Sequence, residues 1–155
     1  MSSDIKSEIF SSAFYLDAIS SKASTISSIG YALTELMKSA GASSAFVILF
    51  DEKMRHIKTV HLKRRGHMNA ETVAEAVKRA IYEVGAANFV LVHNHPENIL
   101  YPSSADRITT DLLLRKYEGS SVTFLEHFII SGDEYITMIH KPSSDRYDQS
   151  RKDKP

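Results

Sequence analysis

Four residues stand at spacings that suit a metal: His93-Asn94-His95, then Ser103 after seven intervening residues, then Asp106 three positions further on. In an extended strand alternate side chains share a side, so His93 and His95 project together while Asn94 points away. Ser103 has the chemistry of a helix N-cap, and Asp106 falls in the first turn, where unpaired amide hydrogens favour an anion. Two imidazoles and one carboxylate fill three positions of a tetrahedral Zn²⁺ and leave the fourth for water, the pattern of a catalytic and not a closed structural zinc. Such an ion brings its water to a pKa of roughly 7 and polarises a carbonyl. Taken singly, the same residues have plainer explanations: a polar strand end, a helix cap, a first-turn acid. Their combination carries the metal reading.

The elements that must position these residues follow from periodicity. Ala45 to Phe50 is a short apolar run bounded by polar residues, a buried strand whose hairpin partner spans Ile57 to Leu62. Residues 70–84 place Val73, Val77, Ala80, Ile81 and Val84 on one helical face, and Gly85 stops the helix. Phe89 to Val92 is a buried strand that delivers His93. The helix capped by Ser103 is expected to pack through Ile108, Leu112, Leu113 and Tyr117 and to end at Gly119. Val122 to Ile130 and Tyr135 to Ile139 form a second hairpin across Ser131-Gly132-Asp133-Glu134. Upstream, Ile26, Ile29, Leu33, Leu36 and Met37 mark an amphipathic helix, and residues 1–22 carry a looser helical pattern. The order helix, hairpin, helix, strand, helix, hairpin gives an α/β fold, one mixed sheet flanked by helices. Residues 1–42 are expected to form N-terminal helices packing on a domain of residues 43–140, with a disordered tail at 141–155.

Composition narrows the chemistry. The chain has no Cys, which excludes disulfides, thiolate nucleophiles and Cys-bound zinc, and leaves His and carboxylate as the strong metal ligands. Lys plus Arg and Asp plus Glu both number 19, so no global field attracts nucleic acid, although Lys63-Arg64-Arg65 could meet a phosphate or an acidic partner. No signal peptide or membrane span is evident, and a cytoplasmic location is the expectation.

The motif resembles, at every spacing, the JAMM signature of the JAB/MPN metalloprotease superfamily. The surrounding words are similar to its RadC-like branch: Val92-His93-Asn94-His95-Pro96, Pro102-Ser103-Ser104-Ala105-Asp106, Thr109 or Thr110 after it, and Leu125-Glu126-His127-Phe128-Ile129-Ile130. The likeness covers roughly residues 43–140. It implies a cytidine-deaminase-like three-layer layout, Zn²⁺ held by His93, His95 and Asp106, Ser103 hydrogen-bonding to the metal water or the oxyanion, and hydrolysis of peptide or isopeptide bonds, notably at ubiquitin-like C-termini.

The sequence departs from that pattern where the general-base Glu is expected. The first strand opens with Ser43-Ser44-Ala45-Phe46 and the second ends at Arg64-Arg65-Gly66. Glu35, Glu71 and Glu75 lie on helices and read as solvated charges, which leaves Glu97, beside the ligands, as the substitute. The loop continues with Glu97-Asn98 where the branch has Ser-Gly, and the helix-hairpin-helix of full-length RadC proteins does not appear. His127 alternates with apolar neighbours, either facing the site or serving as a hydrogen-bonded core histidine. Three functions remain in play: a zinc hydrolase of protein substrates, a binding module that has lost hydrolysis, and a DNA-associated factor.

Overall fold

The computed structural model describes residues 26, 29–34, 37, 45–62, 69–95 and 100–140. The expected helix within residues 1–22, the tail at 141–155, the Lys63-Arg64-Arg65 run, Glu35 and Glu97 lie outside them.

β1 (Ala45–Phe50) is apolar and buried along its whole length, as a strand covered on both faces must be. It lies inside a five-stranded sheet of order β2-β1-β3-β4-β5, with β2 (His56–Leu62), β3 (Asn88–Asn94), β4 (Thr123–Ser131) and β5 (Glu134–Thr137). β1 pairs antiparallel with β2 and β3, β3 runs parallel to β4, and β5 closes antiparallel on β4. The expected mixed sheet is therefore present.

Strand alternation divides the core in two. Ala45, Val47, Leu49, Phe89 and Leu91 pack with Val73, Ala74, Val77 and Ala80 of α1 (Ala70–Val84) and with Leu113 of α2 (Ser104–Tyr117). Phe46, Ile48, Phe50, Val90 and Val92 pack on the opposite face with the helical residues Ile26, Ile29, Leu33 and Met37. Helices thus cover both faces of the sheet. α1 starts under Asn69, whose side chain accepts from the Thr72 amide, and ends at Gly85, whose left-handed backbone (φ 67°) returns its N–H to Ile81.

Two features differ from the sequence expectation. Ile108 does not face the core: it is 59% exposed, and α2 buries Asp106, Thr109, Thr110 and Leu113 instead. The 3- and 4-residue spacing of that set shows that bringing Asp106 inward fixes the helix rotation, which carries Ile108 outward. In β4, Phe124 pairs with Phe89 but Glu126 pairs with Val90, so Leu125 is an extra residue that reverses the alternation downstream. The bulge turns His127 toward α2.

Gly30 shows how closely the N-terminal helical residues sit on the sheet: a methyl group there would run into the Tyr135 ring. Tyr31 and Phe128 hold that ring edge-on, at centroid distances of 5.7 Å and 5.6 Å. Gly30→Ala should therefore lower stability by about 1–3 kcal/mol through overpacking. On an unpacked helix, the same change would stabilise by up to about 1 kcal/mol. Urea denaturation of the two proteins decides the sign.

Candidate metal centre

The centre is built where an inner strand stops and a helix starts. β3 hands over from Asn94 to His95, whose backbone N–H still bonds Ile130 O of β4 at 2.9 Å, so both histidines are held by sheet pairing. α2 opens with a complete capping box: Ser103 Oγ accepts the Asp106 N–H at 3.1 Å, and Asp106 Oδ2 accepts the Ser103 N–H at 2.7 Å. The same box that starts the helix also aims the carboxylate at the strand end.

His93 Nε2 lies 3.1 Å from Asp106 Oδ1, and His95 Nε2 lies 3.2 Å from Asp106 Oδ2. Ligand atoms of the three residues all fall within 4.8 Å of one another. Donors at zinc-bond length on a tetrahedral ion stand about 3.3 Å apart, close to the 3.1 Å and 3.2 Å at which each histidine meets one oxygen of Asp106. The donor chemistry fits as well, with two imidazole nitrogens and a carboxylate oxygen. Asp106 is 1% exposed and His93 3%, whereas the His95 side chain keeps 15%, so the centre opens to solvent on the His95 side.

A carboxylate this deeply buried costs several kcal/mol unless it is compensated. Burial by itself raises the Asp106 carboxyl, but His93, the Ser103 amide, His127 and the Ser103 hydroxyl together hold it below the usual range. His127 sits behind the ligands, fully buried, with Nε2 3.3 Å from His93 Nδ1 and Nδ1 2.7 Å from Thr110 Oγ1. Burial, reinforced by His93 and His95 and opposed by Asp106, pushes the His127 ring down to about 3. The two sequence readings of His127, site-facing and hydrogen-bonded core residue, are both realised.

Other carboxylates stay apart. Glu71 and Glu75 are exposed on α1. Ala45, fully buried, pairs with His93 from β1, so a small apolar side chain stands next to the ligand strand there. Glu126, absent from the sequence shortlist, is the other buried carboxylate among the described residues. Its oxygens accept the amides of His127, Met138, Ile139 and His140 at 2.6–2.9 Å, and the His140 ring approaches at 3.0 Å. Glu126 ties the segment after β5 to β4, and that saturation leaves it unsuited to proton shuttling. His140, half exposed, is its side-chain partner. Thr110 entered the sequence reading only through the resemblance, because a helical threonine carries no signal of its own until its neighbours are known.

A mixed sheet layered between helices, with two histidines and an aspartate gathered where an inner strand meets a helix, defines an α/β domain with a potential metal centre. The chain belongs to the RadC-like JAB domain family, whose model matches residues 22–144. It is similar to a UPF0758 protein of Chromobacterium violaceum, 34% identical over 89 residues, which is 56% of this chain and 39% of that one. A UPF0758 protein of Vibrio cholerae is 32% identical over 99 residues, 63% of this chain and 44% of its own length. One of Aliivibrio fischeri is 30% identical over 111 residues, 70% and 49% respectively. The matched region spans under half the length of these curated relatives. Among the described residues no helix is long and apolar enough to cross a membrane.

Two outcomes follow. Ser103→Ala removes the cap and should cost about 1 kcal/mol of stability in chelator-treated protein, read by denaturant titration. For pH, His127 resists in the folded state a proton that the unfolded chain accepts near 6.5, so its contribution is complete above that pH and is lost as pH falls from 6.5 toward about 3. Stability measured across that window should fall less steeply in metal-free His127→Gln than in the metal-free wild type.

Proposed function

We propose that this domain is a zinc-dependent hydrolase of the JAMM type that cleaves a peptide or isopeptide bond in a protein substrate. The observation that carries the proposal is the convergence of His93, His95 and Asp106 donors to within 4.8 Å at the end of β3. Family membership supports the same reading. Those three residues would hold the ion, which when bound supplies Lewis acidity and brings the pKa of water to about 7.

The chain's own residues supply the remainder. Ser103 is exposed and its Oγ accepts the Asp106 amide, and its hydroxyl hydrogen would turn from the Asp106 carboxylate to a developing oxyanion. His95, the more open ligand, marks the side from which a carbonyl approaches. Proton transfer to the leaving amine falls to Glu97, a few residues from His95 in sequence. Ubiquitin-like C-termini are the substrate class that the motif suggests.

A second reading has its own observation. With Ala45 beside His93, Glu126 saturated, and Glu71 and Glu75 exposed, no general base stands at the cluster among the described residues. A module that keeps the metal and binds without cleaving is the alternative.

Protein purified without chelator should carry about one zinc per chain, removed by dialysis against a chelator and restored by added Zn²⁺. A zinc content near zero, with no gain on reconstitution, contradicts the centre. Zinc-loaded protein should then cleave members of a panel of ubiquitin-like fusions, and His95→Ala should abolish turnover. Glu97→Gln should slow it by roughly 10²- to 10⁴-fold. Full zinc occupancy without turnover across the panel selects the binding module.

A further inference from the structure

Behind the ligands runs a chain of contacts that ends on the backbone of α2. Thr110 Oγ1 lies 2.9 Å from the Asp106 carbonyl and 2.7 Å from His127 Nδ1, and His127 Nε2 lies 3.3 Å from His93 Nδ1. The direction of this chain is fixed by counting hydrogens. A carbonyl oxygen only accepts, so the single hydroxyl hydrogen of Thr110 is committed to it. Thr110 must then accept from His127, which places the His127 hydrogen on Nδ1. A neutral His127 with its hydrogen there presents a bare Nε2, and His93 must donate to it from Nδ1. His127 is fully buried and its two ring nitrogens face a hydroxyl and an imidazole, not a carboxylate, so the neutral ring assumed in the count is the form this environment favours.

At the other end of the His93 ring, Nε2 faces Asp106 Oδ1 at 3.1 Å. Once Nδ1 carries the ring's hydrogen, Nε2 of neutral His93 is a lone pair pointed toward a carboxylate. Two acceptors at that distance repel unless a proton or a metal ion stands between them, and on a ring already protonated at Nδ1 a metal ion can take that place.

We infer that Thr110 and His127 are positioning residues that lock His93 in the tautomer whose Nε2 is bare for metal. The inference rests on the reading of His93, His95 and Asp106 as a zinc centre, and neither residue touches the ion itself. The bulge at Leu125 is part of the device, because it gives His127 the parity that turns it toward α2. Metal-bound histidines are commonly oriented by a carboxylate, carbonyl or water on the second nitrogen. Here a neutral imidazole takes that place, and its own polarity is set from the Asp106 peptide group, so the residue that supplies the oxygen ligand also orients a nitrogen ligand through its backbone.

Thr110→Val separates this role from packing, since it keeps the shape and removes the acceptor. His127 then has no partner for a hydrogen on Nδ1, moves it to Nε2 and donates to His93, which leaves the His93 hydrogen on the nitrogen that should bind metal. Zn²⁺ affinity of the full chain, measured by chelator competition, should fall roughly 10- to 100-fold in Thr110→Val and in His127→Leu. His127→Gln keeps an acceptor facing His93 and should stay within about fivefold of wild type. ¹⁵N shifts of the metal-free wild type should show His127 protonated on Nδ1 and bare on Nε2. Wild-type affinity in folded Thr110→Val and His127→Leu, or the opposite His127 tautomer in the spectrum, overturns the inference. A wild type that takes up no zinc counts against the proposed function, and the ¹⁵N spectrum still decides the tautomer relay.

Discussion

A carboxylate buried to 1% exposure is the constraint on which the rest of this structure depends. Asp106 cannot sit there unless its charge is compensated, and groups converge on its oxygens from three directions: the Ser103 amide donates from its own helix start, and the Nε2 atoms of His93 and His95 face them from the strand, placed to share a cation. Each requirement places an element. The capping box sets where α2 begins, the inward aspartate sets how α2 rotates, and strand alternation puts the two imidazoles on one side. The parallel pairing of β3 with β4, bridged by α2, is what lets strand end and helix start meet.

The same constraint explains why polar groups occupy the inner face of α2. Thr109, Thr110 and His127 are all buried, in positions that an ordinary α/β core would give to aliphatic residues. Thr110 and His127 satisfy each other and the Asp106 carbonyl, so these two are compensated through a connected network, which does not include the buried Thr109 hydroxyl. Glu126 solves a separate problem two strands away from β1, gathering the amides that follow β5 where strand pairing has ended. Two buried carboxylates thus have opposite characters: Glu126 is saturated by backbone donors and fixed, while Asp106 faces two imidazole nitrogens at separations that a shared cation suits.

Much of this was legible in the residues. The apolar run at Ala45 to Phe50, the stripe on residues 70–84, and the Ser103-x-x-Asp106 capping box each obey local rules, and each element formed where those rules put it. The gathering of His93, His95 and Asp106 was legible too, because strand parity and helix capping are both local. What stayed hidden depends on contacts distant in sequence. Ile108 looked like a core residue because periodicity counts apolar side chains and cannot know that Asp106 determines the rotation of the helix. The bulge at Leu125 leaves no mark in an apolar string, yet it decides which way His127 points. Glu126 and His140 are 14 residues apart, and their pairing follows only from the β4–β5 hairpin and the turn of chain after it.

The motif resemblance and the geometry single out the same three residues, while the general base that the resemblance calls for does not stand at the cluster among the described residues, where Ala45 lies beside His93. Catalysis therefore turns on groups around the centre, and the centre itself is the claim on which all else rests. X-ray absorption at the zinc edge, on the full chain loaded with one equivalent of Zn²⁺, tests it most directly. The account predicts a four-coordinate light-atom shell near 2.0 Å, with outer-shell scattering that corresponds to two imidazoles, and loss of that signature in Asp106→Asn. A six-coordinate aquo-like shell, one imidazole or none, or a spectrum unchanged by Asp106→Asn would contradict it.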